Sequence, residues 1–431
     1  MIQGLTRIKL KSPWLDYPYE GYEILKENLD TEVAIIGGGI TGVSAAYHLS
    51  KLGIPFVLLE KDKISHGSSG RSAGGLVPGT ELDFYQALET YGKQKAVGIW
   101  KFTKNAIKDI ERTVKLEKID CGFEHCDAFY FSKKPKQDKI LFREHAATNK
   151  YGFETEILDR RKLENRFVTL NWQSLALRYR NEAYINPAKL VYGLARKVDG
   201  NAVFERSPVI SMKKDGSMFF IKTPSGTVRS RKLIVATESY TKELPFSVKD
   251  KPIKVKITAI ATEKLDEKFL KESGLKKSMF WDTRVLYNFV RVTSDNRIIL
   301  TGRDTIVDNK LSRQSFNTLY SELCEFFPLL KGKRIDYMWY GYMGVSPRVL
   351  PFIGKDTSDP DLMYSLGYGG HGIPFGFSSG RILSEICAGN EEKEIKEIES
   401  ILRPVKSNIY MTAIKSALIK MAVRFHSLTD S

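Results

Sequence analysis

The clearest pattern in the chain is an apolar run that leads straight into closely spaced glycines. Residues 33–36 are all apolar, residues 37–42 read Gly-Gly-Gly-Ile-Thr-Gly, and the positions after them have helical spacing. A second apolar run at 56–59 ends at Glu60, which lies 21 residues beyond Gly39. This pattern predicts a strand, a helix and a second strand, which is the arrangement of a nucleotide-binding βα turn.

The rest of the chain alternates helical and β-rich stretches. Residues 12–30 form an irregular arm rich in aromatic side chains, and residues 81–115 have helical spacing. Asn186 can cap a helix that has Pro187 at its first position. The other β-rich stretches are 203–205, 219–223, 233–237 and 253–300, with a hairpin turn at 294–296. Because these stretches interrupt the βα pattern, we predict a discontinuous nucleotide-binding domain that carries a mostly antiparallel second domain.

Each glycine of the first motif has a physical role in binding a nucleotide. Gly37 permits a tight turn, Gly39 lets the backbone approach a pyrophosphate, and Gly42 lets the helix lie close to the strand. The N-terminus of that helix favours the negative charge of the pyrophosphate. An acid at position 60 accepts hydrogen bonds from ribose hydroxyls. An ordinary glycine-rich loop is the alternative, and the flanking strands and helix argue against it.

The composition limits the possible classes of protein but does not identify a function. At 431 residues, of which 42% are hydrophobic, the chain is long enough for two domains. The four cysteines form no Cys-x-x-Cys pair, so we expect no disulfide framework, no metal site and a cytoplasmic location. The net charge of +16 is dispersed, which favours a lysine-rich surface over a nucleic-acid interface. The N-terminus does not resemble a secretory signal, and no run approaches the roughly 20 apolar residues of a membrane span.

Two further glycine-rich segments follow the first motif. Residues 67–76 are dense in glycine and serine, which suits close approach of the backbone to a bulky ligand, although a flexible surface loop has the same composition. Residues 365–376 lead into a helix-like stretch at 378–386. A helix N-terminus directed at a flavin would stabilise its anionic reduced ring.

Taken together, these motifs resemble those of the D-amino-acid oxidase superfamily of FAD-dependent oxidoreductases. The matching segments are 37–42, 67–75, 350–354 and 367–372, in that order along the chain. The likeness covers roughly residues 12–390 and is greatest to the branch with γ-glutamylputrescine oxidase, glycine oxidase and sarcosine oxidase. It implies an α/β plus α+β fold, in which a discontinuous Rossmann-like FAD-binding domain of the glutathione-reductase type carries a mostly antiparallel substrate domain.

The resemblance also implies domain bounds and a cofactor site. The FAD-binding domain would comprise 28–90, 155–245 and 339–390, the substrate domain 91–154 and 246–338, and a tail would follow at 391–431. No cysteine lies where sarcosine oxidases link their flavin, so we expect non-covalent FAD. The residues that match the cofactor-binding pattern are Gly37, Gly39, Ile40, Thr41, Gly42, Glu60, Lys61, Ser69, Gly70, Arg71, Ser72, Gly74, Gly75, Leu76, Val209, Thr237, Gly370, His371, Gly372 and Ile373.

The chain departs from its relatives where they bind substrate. Met343 occupies the position of the arginine that clamps carboxylate in glycine oxidase, and Pro374 occupies that of a lysine in sarcosine oxidase. Arg348, Arg71 and Arg291 remain as candidate anion clamps, with structural ion pairs as the alternative. The candidates for the substrate-facing wall are Tyr287, Trp339, Met343, Arg348, His371 and Phe375.

The expected activity is oxidation of an amine or amino acid to an imine, with hydride transfer to the flavin. Leu300 occupies the position of the lysine that activates oxygen in sarcosine oxidase, so we expect oxygen to be a poor acceptor, and the acceptor is either oxygen or another molecule. The first alternative is therefore a dehydrogenase of a secondary amino acid that passes electrons to a membrane quinone. Residues 407–428 form a basic amphipathic pattern, which suits packing within the protein or peripheral contact with the inner face of the membrane. The second alternative is a flavin-containing structural or RNA-associated protein.

Overall fold

The computed structural model describes residues 8–167, 175–246, 248, 252–275, 277–284, 287–303, 311–390, 398, 401 and 402. The amphipathic pattern at 407–428 therefore lies outside the described residues. The helices are α1 (Ile40–Lys51), α2 (Phe84–Tyr91), α3 (Lys93–Leu116), α4 (Asp138–Lys150), α5 (Arg160–Arg166), α6 (Pro187–Ala195), α7 (Glu267–Glu272), α8 (Arg313–Phe326) and α9 (Gly372–Ala388).

The strands are divided between two sheets. They are β1 (Leu29–Ile36), β2 (Phe56–Leu59), β3 (Gly75–Leu76), β4 (Glu124–Phe131), β5 (Thr155–Leu158), β6 (Ala176–Tyr184), β7 (Val203–Phe204), β8 (Ser211–Asp215), β9 (Met218–Lys222), β10 (Thr227–Val235), β11 (Ile253–Thr262), β12 (Ser278–Asp282), β13 (Phe289–Val292), β14 (Ile298–Arg303), β15 (Ile335–Val345), β16 (Phe352–Lys355) and β17 (Leu362–Leu366).

The first sheet has the strand order β16-β17-β10-β1-β2-β7, in which β17, β10, β1, β2 and β7 run parallel and β16 is antiparallel to β17. Strands β8 and β9 extend it as an antiparallel pair beside β10. Strand β1 is paired in parallel with β10 and with β2, so that Ile36 lies between Val235 and Leu59. Residues 33–36 are all buried, as expected for a strand with helices or loops on both faces. The strands come from three separate stretches of the chain, and the discontinuous parallel sheet predicted from the sequence is confirmed.

The second sheet has the order β15-β11-β14-β13-β12-β4-β6-β3, with β5 paired to β6. Its pairs are antiparallel except for β12 and β4, which run parallel. The predicted antiparallel character is therefore confirmed. Strands β5 and β6 belong to this sheet, although the predicted bounds put residues 155–184 in the FAD-binding domain. Both strands belong to the second sheet because β6 pairs with β4 along most of its length and β5 pairs with β6. The domain bounds themselves stay a prediction.

Helices α1 and α9 pack closely through small residues. A Cβ atom built at Gly380 would lie 2.6 Å from the backbone nitrogen of Ala45, so only glycine fits there. The Ser44 hydroxyl donates a hydrogen bond to the carbonyl of Phe377 (2.6 Å), and the Ser384 hydroxyl donates to that of Ala45 (2.9 Å). The first glycine motif and the last glycine-rich segment are thus held side by side.

Most of the elements predicted from the sequence are present, with shifted ends. The side chain of Asn186 accepts the N–H of Lys189 (3.0 Å) and caps α6, as predicted. Residues 81–115 form two helices, because the chain turns at Gly92 with φ of 80°. Helix α9 begins at Gly372 rather than near 378, so the last part of the glycine-rich segment, 372–376, is helical. The helices α4, α5 and α8 were not predicted. The prediction that 253–300 is β-rich throughout is wrong at α7, where Asp266 caps a short helix by accepting the N–H of Phe269.

Candidate active site

Four segments predicted to bind nucleotide converge at one edge of the parallel sheet. Strand β1 is followed by the glycine motif 37–42, β2 by Glu60, β10 by Thr237, and β17 by the segment 367–373. Because parallel strands end at the same edge, these segments are neighbours although they are far apart in sequence. Ligands of open α/β sheets bind in the crevice outside this edge.

The geometry of the first motif requires glycine. Gly37 has φ of 111°, and a Cβ atom there would lie 2.6 Å from the carbonyl oxygen of Ala236. A Cβ atom at Gly42 would lie 1.9 Å from the carbonyl oxygen of Gly37, which no backbone adjustment of ordinary size relieves. Helix α1 starts at Ile40, and Ser69 accepts its backbone N–H at 3.0 Å. The motif therefore forms the tight strand-to-helix turn that presents a helix N-terminus to a pyrophosphate.

Glu60, which the sequence predicts to bind a ribose, lies beside the glycine motif. Its carboxylate accepts the N–H of Gly38 at 2.7 Å and that of Asp62 at 2.8 Å, which fixes its orientation beside the glycine motif. Burial raises the pKa of Glu60, although these two backbone hydrogen bonds oppose the rise. A carboxylate accepts about four hydrogen bonds, so two sites are left for hydroxyl groups.

The segment 67–76 is held in place by two indole groups from different parts of the chain. Trp14, in the N-terminal arm, donates its indole N–H to the carbonyl of Ser72 at 2.9 Å. Trp339, in β15, donates to the carbonyl of Arg71 at 2.9 Å. These contacts order a segment that has little regular structure, namely a 3-10 turn at Ser69–Arg71 and the two-residue strand β3.

A buried acid that the sequence analysis missed organises the last glycine-rich segment. Glu238 accepts the backbone N–H groups of Gly367 (2.8 Å) and Tyr368 (3.1 Å). It has φ of 47°, which costs energy for a residue other than glycine. Burial raises the pKa of Glu238, and the backbone hydrogen bonds oppose that rise. No local signal in the sequence indicated this role, because Gly367 and Tyr368 lie 129 and 130 residues away from Glu238.

Two of the predicted wall residues meet at this segment. Glu81 accepts the backbone N–H of Gly370 and lies 3.7 Å from Nδ1 of His371. A Cβ atom built at Gly370 would lie 2.7 Å from the hydroxyl oxygen of Tyr287 and 3.0 Å from Oε1 of Glu81. The structure therefore brings Tyr287 and His371 together around Glu81, an acid that sequence reasoning did not select.

The other wall candidates have different surroundings. Phe375 is fully buried, stacked on Tyr368 and close to Phe102, and Trp339 is buried where it holds Arg71. Met343 is partly buried in β15 opposite Val255. Their role as a substrate-facing wall stays a prediction.

The three candidate anion clamps already have partners in the structure. Arg71 donates to the carbonyls of His66 (3.0 Å) and Tyr340 (3.1 Å). Arg291 is buried, donates to the carbonyl of Gly74 (3.2 Å) and has the rings of Trp14 and Tyr184 beside it.

Arg348 also has partners, since it stacks on the ring of Phe352 and donates to the carbonyl of Ile401 at 3.4 Å. In the described part of the chain, these arginines act as structural donors.

Three further residues of the cofactor-binding pattern have different surroundings. Lys61 is exposed beside Tyr240, Val209 packs against the core of the parallel sheet, and Thr237 bonds to Thr241 at 2.9 Å. The residues fit the three parts of FAD. The turn at Gly39 before α1 suits a pyrophosphate, the oriented carboxylate of Glu60 suits a ribose, and the N-terminus of α9 suits the ring. None of the helices in the described ranges has the length and apolar character needed to cross a bilayer.

Comparison with known proteins agrees with this geometry. A probable oxidoreductase OrdL of Haemophilus influenzae is 26% identical over 408 residues, covering 93% of this chain and 92% of that protein. Gamma-glutamylputrescine oxidoreductase of Escherichia coli is 28% identical over 381 residues, covering 87% and 88%. The crystal structure of glycine oxidase from Geobacillus kaustophilus matches with a TM-score of 0.74 at 16% identity, covering 84% of this chain and 96% of that one.

L-proline dehydrogenase from P. horikoshii matches with a TM-score of 0.70 at 18% identity, covering 86% of this chain and 96% of that one. At such identities the structures show a shared fold only. The model of the DAO family, described as FAD dependent oxidoreductase, matches residues 32–386, which is most of the chain. The protein therefore belongs to the DAO family of FAD-dependent oxidoreductases.

Proposed function

We propose that the protein oxidises the C–N bond of an amine or amino acid to an imine, with FAD bound non-covalently. The observation that carries the proposal is the convergence of three glycine-rich segments and Glu60 on one crevice, in a chain that belongs to the DAO family. Relatives with this coverage include a gamma-glutamylputrescine oxidoreductase and glycine oxidases, whose substrates carry such a bond.

The chain's own residues supply binding and orientation. The chemistry that FAD would supply when bound is uptake of a hydride from the carbon next to nitrogen. The nitrogen would lose a proton in that step, and water would hydrolyse the imine to a carbonyl compound and an amine or ammonia. Glu60 would hold the ribose and the N-terminus of α1 the pyrophosphate. The N-terminus of α9, at Gly372, would stabilise negative charge on the reduced ring. Tyr287 and His371 would face the substrate.

The physiological electron acceptor distinguishes an oxidase from a dehydrogenase. Leu300, at the position of the oxygen-activating lysine of sarcosine oxidase, lies fully buried in β14. Lys256, on the neighbouring strand β11, is buried near the ring of Tyr340. We propose that oxygen reacts slowly with the reduced enzyme and that the dehydrogenase alternative applies if a quinone reacts faster.

The proposal is tested by anaerobic spectroscopy of the purified protein. A panel of primary amines, secondary amines and amino acids is added, and bleaching of the flavin band is followed by stopped flow. We expect at least one compound to bleach the flavin, and acid denaturation to release free FAD. A colourless protein that cannot be reconstituted, or a flavin that no compound bleaches, would refute the proposal.

Reoxidation separates the two acceptors. The bleached enzyme is mixed with air-saturated buffer or with a soluble quinone, and the return of the flavin band is timed. Rapid production of peroxide would exclude the dehydrogenase alternative.

A further inference from the structure

Glu81 lies at the meeting point of the last glycine-rich segment and the antiparallel sheet. It follows β3 along the chain and accepts the N–H of Gly370 across a separation of 289 residues. A Cβ atom built at Gly370 would meet both the hydroxyl oxygen of Tyr287 (2.7 Å) and Oε1 of Glu81 (3.0 Å). The negative charge of Glu81, together with burial, raises the pKa of Tyr287 well above its usual value. A carboxylate, a phenol and an imidazole thus surround one point beside the segment we assign to the flavin.

This carboxylate keeps capacity to bind a ligand. The side chains of Glu81 and His371 are 19% and 16% exposed, so both are sheltered but reachable. Their separation of 3.7 Å exceeds a hydrogen bond. Within the described ranges, His371 is the basic residue that lies within 4 Å of the Glu81 carboxylate. The buried Nδ1 atom of His371 has no hydrogen-bond partner in those ranges. A donor-rich group between the two side chains would satisfy the carboxylate.

The charge of the surroundings favours a cationic ligand. A substrate carboxylate at this point would meet a carboxylate, and like charges at short distance repel. The arginines that could have offset this effect donate to backbone carbonyls elsewhere, as Arg71 and Arg291 show. A partly sheltered carboxylate binds an ammonium group more strongly than one in open water does.

We propose that Glu81 binds a cationic group of the substrate, so that the enzyme favours amines with a second positive charge over amines with a carboxylate. This inference rests on the proposed amine oxidation, and it adds the charge class of the substrate. Glu81 is a binding residue in this scheme, with His371 and Tyr287 forming the walls beside the ammonium group.

A series of three compounds of similar length tests the inference. Butane-1,4-diamine ends in a cation, pentan-1-amine in a methyl group and 4-aminobutanoate in an anion. Anaerobic flavin reduction at varied concentration gives an apparent Kd and a limiting rate for each. For the unaltered enzyme we expect the tightest binding for the diamine and the weakest for 4-aminobutanoate.

Glu81→Gln removes the charge but keeps an oxygen that accepts the Gly370 N–H. We expect it to raise the apparent Kd of the diamine by about tenfold, to change that of pentan-1-amine less than twofold and to lower that of 4-aminobutanoate. Glu81→Asp retains the charge and should retain the order of the three compounds. If the glutamine variant does not bind FAD, the Glu81→Asp variant is measured in its place. Glu89→Gln, an exposed ion-pair residue in α2, is the matched control and should change none of the constants.

Failure of this inference can be told apart from failure of the proposed function. If other amines or amino acids bleach the flavin but Glu81→Gln shifts the three compounds equally or not at all, the role of Glu81 is refuted while amine oxidation stands. If 4-aminobutanoate binds best to the unaltered enzyme, the role is also refuted. If no amine or amino acid bleaches the flavin, both proposals fail.

Discussion

At the residue scale, the protein buries several acidic side chains and pairs some of them with backbone N–H groups. Glu60 and Glu238 each accept two such groups at the cofactor crevice. Glu144 accepts the N–H groups of Phe84 and Tyr85 and so holds the first turn of α2. Buried carboxylates used in this way fix the position of loops, and they make stability sensitive to pH.

Glu182 in β6 gives the clearest pH prediction. Burial raises its pKa from 4.5 to about 8, and the positive charge of Lys104 opposes the rise. Between these values the folded protein keeps a proton that the unfolded chain releases. Raising the pH through this window therefore lowers the free energy of unfolding by about 1.4 kcal/mol per pH unit.

Glu182→Gln should remove this contribution, because an amide does not titrate. Urea unfolding between pH 5 and pH 8 measures the slope. The control is Glu325→Gln, a surface carboxylate paired with Lys133, which should keep the slope of the unaltered protein. Equal slopes for the Glu182 variant and the unaltered protein would contradict the prediction.

At the element scale, the first βα turn depends on glycine at fixed points. We expect Gly42→Ala to separate α1 from β1, since the added methyl group would lie 1.9 Å from the carbonyl oxygen of Gly37. The purified variant should contain less than a tenth of the FAD of the unaltered protein, measured by absorbance after denaturation. Gly53→Ala, just beyond the other end of α1, meets no atom within 4 Å and should cost only about 1 kcal/mol of strain while keeping FAD.

The same scale shows what the sequence could predict. The βα unit was predictable because its apolar run, glycines and acid are consecutive in the chain. Helix α8 was missed, although Ser312 caps it and its buried residues Leu319, Leu323 and Phe326 have helical spacing. The role of Glu81 could not be predicted from the sequence, because its hydrogen-bond partner Gly370 lies 289 residues away. Local patterns specify elements, whereas contacts between distant segments specify the site.

At the scale of the whole molecule, the N-terminal arm and the antiparallel sheet together order the glycine-rich segment 67–76. Trp14 and Trp339 hold the consecutive carbonyls of Ser72 and Arg71. Phenylalanine at either position keeps most of the ring packing but loses the hydrogen bond, which contributes about 1 kcal/mol. Trp14→Phe and Trp339→Phe should therefore each raise the Kd for FAD about fivefold.

Titration of the apoprotein with FAD, followed by flavin fluorescence, gives these constants. Trp281→Phe is the control, since that indole stacks on Tyr130 within the antiparallel sheet, and its Kd should stay unchanged. An unaltered Kd in both test variants would show that the loop is ordered without the two indoles.

The close packing of α1 against α9 has a consequence for how the protein is made. The ribosome releases the glycine motif early, but the helix that packs beside it, Gly372–Ala388, emerges only after both sheets have been synthesised. Until then the nascent chain exposes the small residues of α1 and lacks one wall of the crevice. Acquisition of FAD therefore belongs to the end of synthesis, and a chain interrupted before residue 372 would be left without it.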